Sequence, residues 1–523
     1  MAEDELIADD STPEPDEDLD AKAESAQTPE TFVCGVCGQK FPVERVYDVG
    51  GSYVCRECYD KQVLAEPKTA APTPVASGVT ATAAPSAPTP AAEPPALRAS
   101  IICPHCWHRF APEEALWIAE HTELAGDVVA GPEAAMRFLP SRFTPRGDAL
   151  DARGVACQNL ACPRCHLTLP RILFEAEPLF VSIIGVPASG KSYFLATMAW
   201  ELRRLLPRDF AISFSDADPL FNRSLHEYEE TLFMQNDPDK LVALRKTELQ
   251  GELYDQVRIG GQMITLPRPF LFSLRLTETH PGFSHHTPQR IMCLYDNAGE
   301  HFQAGADQSS APVTHHLEQS RVLMFLYDPT QDPRFREKCR PLSNDPQLQS
   351  VVRTQRQETI LTETALRIRR LTHAPGNQKH NSPLLVILAK SDVWAPLVDA
   401  DLVGEPLLRN VVASNVRPNH LAAVDVVRIE STSRKLREML LEFAPQVVAA
   451  AEDFSTHVLY MPISALGRAP EADTATGMLG VRPRSLHPRW VSIPVLYILS
   501  RWASGLVAGN QYPPKPGTQV HGI

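Results

Sequence analysis

The sequence predicts an α/β protein: a mainly parallel sheet with helices on both faces, preceded by two small Cys-rich modules. Three observations carry this. From about residue 178, short near-continuous apolar runs alternate with amphipathic stretches, the pattern of strands buried on both faces. The first of these runs leads through a glycine-rich loop into the clearest amphipathic stretch. Eight of the 11 cysteines fall into four C-x-x-C pairs, all of them upstream of the sheet. At 523 residues, 43% of them apolar, the chain has room for roughly two to four domains and at least one large core.

Residues 1–30 hold twelve Asp or Glu and one Lys, so most of the net charge of −13 lies there. Such a segment buries too little apolar surface to offset its ordering entropy, and it reads as an acidic disordered tail. The remainder is near neutral and lacks the basic footprint of a general nucleic-acid binder. Protein partners are therefore favoured over nucleic acid. No run approaches the ~18 uninterrupted apolar residues of a membrane span. The opening MAEDELIADD has neither a basic n-region nor an apolar h-region, so the expected location is cytoplasmic.

Residues 31–61 carry Cys34-x2-Cys37-x17-Cys55-x2-Cys58, the spacing of a four-cysteine zinc site. About thirty residues form no stable apolar core unaided, so the metal would supply the folding energy. The stretch GGSYVCRECYDK resembles the second knuckle of treble-clef modules. Residues 62–99, rich in Ala, Pro and Thr, read as a semi-extended linker. A second zinc-ribbon module spans 100–172. Its pairs are Cys103-Pro-His-Cys106 and Cys162-Pro-Arg-Cys165, and the long interval between them reads as an inserted subdomain. Cys157 is an alternative ligand; His105, His108 and His166 are weaker ones. Two Zn2+ per chain are expected.

Six runs read as strands of the sheet: 179–184, 270–276, 290–296, 322–328, 384–390 and 457–464. Helical patterns lie between them. The clearest is Ser192–Leu206, stopped by Pro207; others cover about 348–372 and 431–450. The segment 207–265 reads as an insertion, and 506–523 as a flexible tail.

Residues 185–192, GVPASGKS, fit G-x-x-x-x-G-K-[ST] between an apolar strand and an amphipathic helix. This is the P-loop of nucleoside triphosphate-binding domains. Gly185 and Gly190 let backbone N–H groups face phosphate, and the helix N-terminus adds to the attraction. Lys191 would reach the β- and γ-phosphates, and the Ser192 hydroxyl would ligate Mg2+. Ser189 and Tyr193 complete the nucleotide-binding set at this loop.

Further motifs follow in order, each at the end of an apolar run. Residues 296–300, DNAGE, look like the D-x-x-G motif of GTPases, with Asp296 toward Mg2+ and the Gly299 N–H toward the γ-phosphate. Glu300 stands where many GTPases place a water-orienting Gln, as a base or an orienting group. Residues 389–392, AKSD, resemble [NT]-K-x-D: the Lys390 stem packs against the base and Asp392 accepts from guanine. Ala389 departs from the pattern, since it cannot make the usual Asn or Thr contact. Ser464 and Ala465, in SALG, resemble the fifth GTPase motif, whose backbone N–H faces guanine O6. Thr265 and Thr247 are candidates for the threonine that completes the Mg2+ shell, Thr265 being preferred.

Together GVPASGKS, DNAGE, AKSD and SAL resemble the TRAFAC-type P-loop GTPases with a G-domain-like fold, over about 178–505. With CPHCW and ACPRCH in front, the chain resembles the zinc-ribbon-fused double-GTPase group of bacterial conflict systems. The resemblance implies a GTP/GDP-dependent regulatory switch that hydrolyses GTP with Mg2+ and meets protein partners through its zinc modules and switch regions. Two alternatives remain open: a zinc-based adaptor whose P-loop domain binds nucleotide without turnover, and an ATPase.

Overall fold

The computed structural model describes residues 31–33, 39–42, 46–49, 52–55, 97–245, 253–284, 289–296, 315–349, 356–398, 402, 404–412, 420–473, 477–503 and 506–510. Its centre is a seven-stranded sheet. In chain order the strands are β1 (Glu177–Gly185), β2 (Ile212–Asp216), β3 (Phe270–Leu276), β4 (Arg290–Asp296), β5 (Val322–Tyr327), β6 (Leu384–Leu388) and β7 (Val458–Pro462). Their spatial order is β2-β3-β4-β1-β5-β6-β7. β4, β1, β5, β6 and β7 run parallel, while β3 is antiparallel to both β4 and β2. The six apolar runs fall on six of these strands. The seventh, β2, lies in the segment read as an insertion; its Ile212 and Phe214 are buried and alternate with less buried serines.

The longer helices are α1 (Lys191–Phe210), α2 (Arg223–Phe233), α3 (Glu358–Thr372), α4 (Val426–Phe443), α5 (Pro445–Phe454) and α6 (Ile493–Trp502). α1 does not stop at Pro207 as expected. Pro207 removes one bond in the last turn, but Leu205, Leu206 and Phe210 are buried there and hold the turn in place. The pattern near 431–450 divides into two helices at Ala444, because Pro445 has no N–H to continue α4 and suits the first position of α5.

Odd-numbered side chains of β1 (Leu179, Val181, Ile183) pack with α1 and α6 on one face of the sheet. The other face is divided. Over β5, β6 and β7 it is covered by α3, α4 and α5. Over β1, β4 and β3 it is covered by the Cys-rich region: Phe180, Leu271, Ile291, Cys293 and Tyr295 join Ile101, Phe110, Leu169 and Phe174 in one apolar cluster.

Within 100–172 the long interval between the Cys pairs does not stand apart as a subdomain. Leu116–Ile118 pairs with both Arg137–Phe138 and Leu160–Ala161, and the latter runs into the second Cys pair. The end of the chain departs from expectation too. Leu506 and Val507 are buried, and Val424 bonds to both Ala508 and Asn510, so 506–510 belongs to the packed domain. Cys34, Cys37 and Cys58 lie outside the described residues; Cys55 closes a strand, Ser52–Cys55, paired with Val46–Val49. Among the described residues no helix is long and apolar enough to cross a membrane.

Candidate functional site

A cavity of about 320 Å3 opens at the carboxyl ends of β1, β6 and β7, where ligands enter parallel sheets. Residues 187–193 form one wall; Ala389, Lys390, Asp392, Ser464 and Ala465 form another. The fold thus brings the P-loop and the residues expected to read a base, far apart in the chain, around one space. Gly190 caps α1 at φ 93°, a conformation open to glycine but strained for other residues. Ala188 is left-handed as well (φ 59°), so the loop stores strain beside the cavity. Ser189 Oγ donates to the Val186 carbonyl at 2.8 Å and holds the turn closed. The Lys191 ammonium is buried and donates to the carbonyls of Gly185 and Val186 at 3.1 and 3.2 Å.

Asp296 ends β4, beside β1. Both its carboxylate oxygens are buried without a hydrogen-bond partner among the described residues. Burial pushes its pKa up to about 6, against the pull of the Lys191 charge. A buried carboxylate with two bare oxygens next to a phosphate loop is a group that fits a divalent cation. Mg2+ held by Asp296 and the Ser192 hydroxyl would neutralise phosphate charge there. Gly299, Glu300 and Thr247 lie outside the described residues.

Thr265 is not brought to this cavity. It sits on the hairpin Tyr254–Ile259/Gln262–Pro267, paired with Gln256, and this hairpin packs on the Cys-rich module instead. The Arg258 N–H bonds the Val129 carbonyl at 2.8 Å, which fixes the hairpin there. The expectation for Thr265 as an Mg2+ ligand is corrected on that ground.

On the opposite wall, Lys390 is left-handed (φ 56°) and its ammonium is fully engaged: by Asp328 at 2.5 Å, Thr330 at 3.1 Å and Gln347. Asp392 is bonded by Ser464 Oγ, which also accepts the Gly467 N–H at 2.8 Å. Burial raises the Asp392 pKa, opposed by the Ser464 bond. Gly467 is required, since a Cβ there would stand 1.9 Å from the His487 carbonyl oxygen. Sequence reasoning missed other parts of the lining, among them Leu244, Arg245, Asp345, Gln347 and Arg468. Leu244 arrives from the supposed insertion, tied down where its N–H bonds the Tyr193 hydroxyl at 3.1 Å. Leu244 and Arg245 carry no motif and are placed by the distant pairing of Val242 with Val481.

The second candidate site is the sulfur cluster. Cys103, Cys106, Cys162 and Cys165 place their Sγ atoms within 4.8 Å of one another. The two knuckles repeat one geometry. Trp107 N–H bonds the Cys103 carbonyl and His166 N–H bonds the Cys162 carbonyl, both at 3.0 Å, with Trp107 and His166 left-handed. His105 and Arg164 N–H groups point at the Cys103 and Cys162 sulfurs at 3.4 Å. Burial raises the Cys103 pKa, while hydrogen bonds from Cys103 and its neighbours lower that of Cys162. Four converging buried sulfurs served by backbone donors fit a tetrahedral zinc ion. Cys157 is not in the cluster; its thiol faces the Val155 carbonyl. Nor is His166, whose Nδ1 meets Asp127 at 2.8 Å.

The two sites touch. The Tyr295 hydroxyl, one residue before Asp296, donates to the Pro104 carbonyl inside the first knuckle at 2.5 Å. Trp107 lies within 6.2 Å of the rings of Tyr295, His315 and His316. One knuckle therefore contacts Tyr295 on one side of residues 297–314 and His315 and His316 on the other.

No protein-family model matches the chain. It is similar to the "Putative ESX-1 scaffolding and assembly protein SaeC" of Mycolicibacterium smegmatis, at 24% identity over 420 residues, covering 75% of this chain and 98% of that protein. Solved structures similar to it include Sup35 complexed with GDP, at 12% identity and TM-score 0.20, covering 57% of this chain and 40% of that one. Era in complex with MgGDPNP and nucleotides 1506–1542 of 16S ribosomal RNA gives 12%, 0.20, and coverage of 56% and 53%. The GTPase-like domain of S. cerevisiae Ski7, bound to GTP, gives 12%, 0.20, and coverage of 55% and 43%. The chain spans about half or less of the length of these three.

Proposed function

We propose that the chain is an Mg2+-dependent guanine-nucleotide-binding switch. One observation carries the reading: a single cavity is walled by a P-loop with its lysine and by Lys390, Asp392 and Ser464. Lys191 and Ser192 would hold the phosphates and the metal, Asp296 the metal's shell, and Asp392 the guanine edge. Adenine presents the opposite donor and acceptor at that edge, so a buried carboxylate there disfavours it. Gly299 and Glu300 follow Asp296 and would sense the γ-phosphate and position water. The knuckle at Pro104 and Trp107 would read the state of that segment, making the zinc-ribbon module the output surface for protein partners. Hydrolysis of GTP would be slow without a partner, since the sequence makes no catalytic residue obvious.

Phosphate release tests the enzymatic half: release above the level of Lys191→Ala supports turnover. Competition between labelled GTP and ATP tests the base, and Asp392→Asn should relax the preference. A clear preference for ATP would overturn the guanine reading.

A second reading has its own support. The curated relative is matched over nearly its whole length and is described as a scaffolding and assembly protein. In that reading the chain is a nucleotide-binding adaptor without turnover. Tight GTP binding with phosphate release no faster than Lys191→Ala would favour it.

A further inference from the structure

The two walls of the cavity are joined by a polar bridge that no motif assigns. We propose that Gln331, acting through Asp328, is a positioning residue for base recognition: it ties Lys390 to the phosphate loop. The proposal rests on the guanine-nucleotide reading of the cavity.

Position 389 cannot provide such a tie. Ala389 offers a methyl group, its N–H bonds the Tyr327 carbonyl at 2.9 Å, and its carbonyl accepts from Trp394 Nε1 at 2.8 Å. The tie comes from the next strand. After β5 ends at Tyr327, Asp328 caps the short turn Pro329–Gln331 through the Thr330 N–H at 3.0 Å. That turn aims the Gln331 amide at two acceptors: the Pro187 carbonyl of the phosphate loop at 3.3 Å and Asp328 Oδ2 at 3.2 Å. Asp328 is wholly buried and also accepts from Thr330 Oγ1 at 2.7 Å and from Lys390 at 2.5 Å. Pro187, Gln331, Asp328 and Lys390 thus form one continuous chain of hydrogen bonds. It also decides what Lys390 offers: with its ammonium held by Asp328, Thr330 and Gln347, the aliphatic stem is left to meet a ring.

A rigid link matters only to a ligand that spans both walls. A nucleotide touches phosphate loop and base wall together, so their fixed spacing is gained before binding. Inorganic tripolyphosphate touches the phosphate wall alone. The test is calorimetric titration of magnesium GDP and of magnesium tripolyphosphate into the full chain and into Gln331→Leu, which keeps the bulk and removes the donors. Losing the two bonds of the Gln331 amide predicts about 5–20-fold weaker GDP binding with tripolyphosphate held within about two-fold. Gln331→Asn, one methylene short of Pro187, is expected to behave like the leucine variant, and its conserved polarity guards against a folding artefact. GDP binding equal to wild type in both variants overturns the proposal. So does an equal loss for both ligands, which would mean a damaged phosphate loop. Wild-type protein that takes neither ligand overturns the functional reading itself, and this inference with it.

Discussion

Over β5, β6 and β7 one face of the sheet is covered by helices; over β1, β4 and β3 the same face is covered by the Cys-rich module. On the helical side Leu323, Phe325, Leu384 and Val386 meet Ile360, Leu361, Val447 and Phe454, apolar against apolar. On the module side the sheet presents Tyr295, whose hydroxyl needs and finds the Pro104 carbonyl. His316 stands at the seam, bonded to Ser182 Oγ at 2.6 Å. The helical half is held mainly by apolar area, with a few polar ties such as the Tyr460 N–H to Ser433 Oγ at 2.9 Å. The other half is held by short strands, a few polar contacts and four converging thiols. The polar half adjoins Tyr295, one residue before Asp296.

The comparison breaks most visibly at the sulfurs. Cys162→Ser should release one zinc per chain, by elemental analysis, and abolish the module's folding, since structural zinc contributes an apparent ~10 kcal/mol or more in small modules. A total near two in the wild type would include the Cys34, Cys37, Cys55 and Cys58 set. Leu361→Ala on α3 should cost about 2–5 kcal/mol in chemical denaturation. It should leave zinc content unchanged, because Leu361 packs in a cluster separate from the four sulfurs. Tyr295→Phe is smaller: it strands a buried carbonyl and should cost about 1–3 kcal/mol. Here GDP affinity should fall with zinc retained; equal affinity would show that the knuckle does not speak to the nucleotide site.

The smallest expected effect is a pH dependence. Asp296 titrates near 6, above its ordinary range, so it is protonated at pH 5 and ionised at pH 7. Mg2+ needs the ionised form. The magnesium-dependent part of GDP affinity should therefore weaken as pH falls through 6, by about ten-fold per unit below it. Asp296→Asn should remove both the magnesium enhancement and its pH dependence.

Much of the fold was legible because its signals are local. Runs such as LLVIL need burial on both faces whatever their neighbours, and GVPASGKS fixes a strand–loop–helix junction by itself. What was not legible depends on distant pairing. β2 is a short edge strand whose alternation is clear only once β3 lies beside it. Thr265 looked well placed just before β3, yet six paired residues of a hairpin carry it to the Cys-rich module. The departure at Ala389 was visible, but its replacement by Gln331 was not, because the bridge runs between strands rather than along the chain.

The most direct test is a titration of purified protein, with magnesium present, by GDP and by ADP, beside Lys191→Ala. The account predicts that GDP binds, that ADP binds about 100-fold or more weakly, as expected where a buried carboxylate loses its partner, and that the lysine variant retains neither. Wild-type protein that holds no purine nucleotide, or that holds GDP no better than Lys191→Ala does, would contradict it.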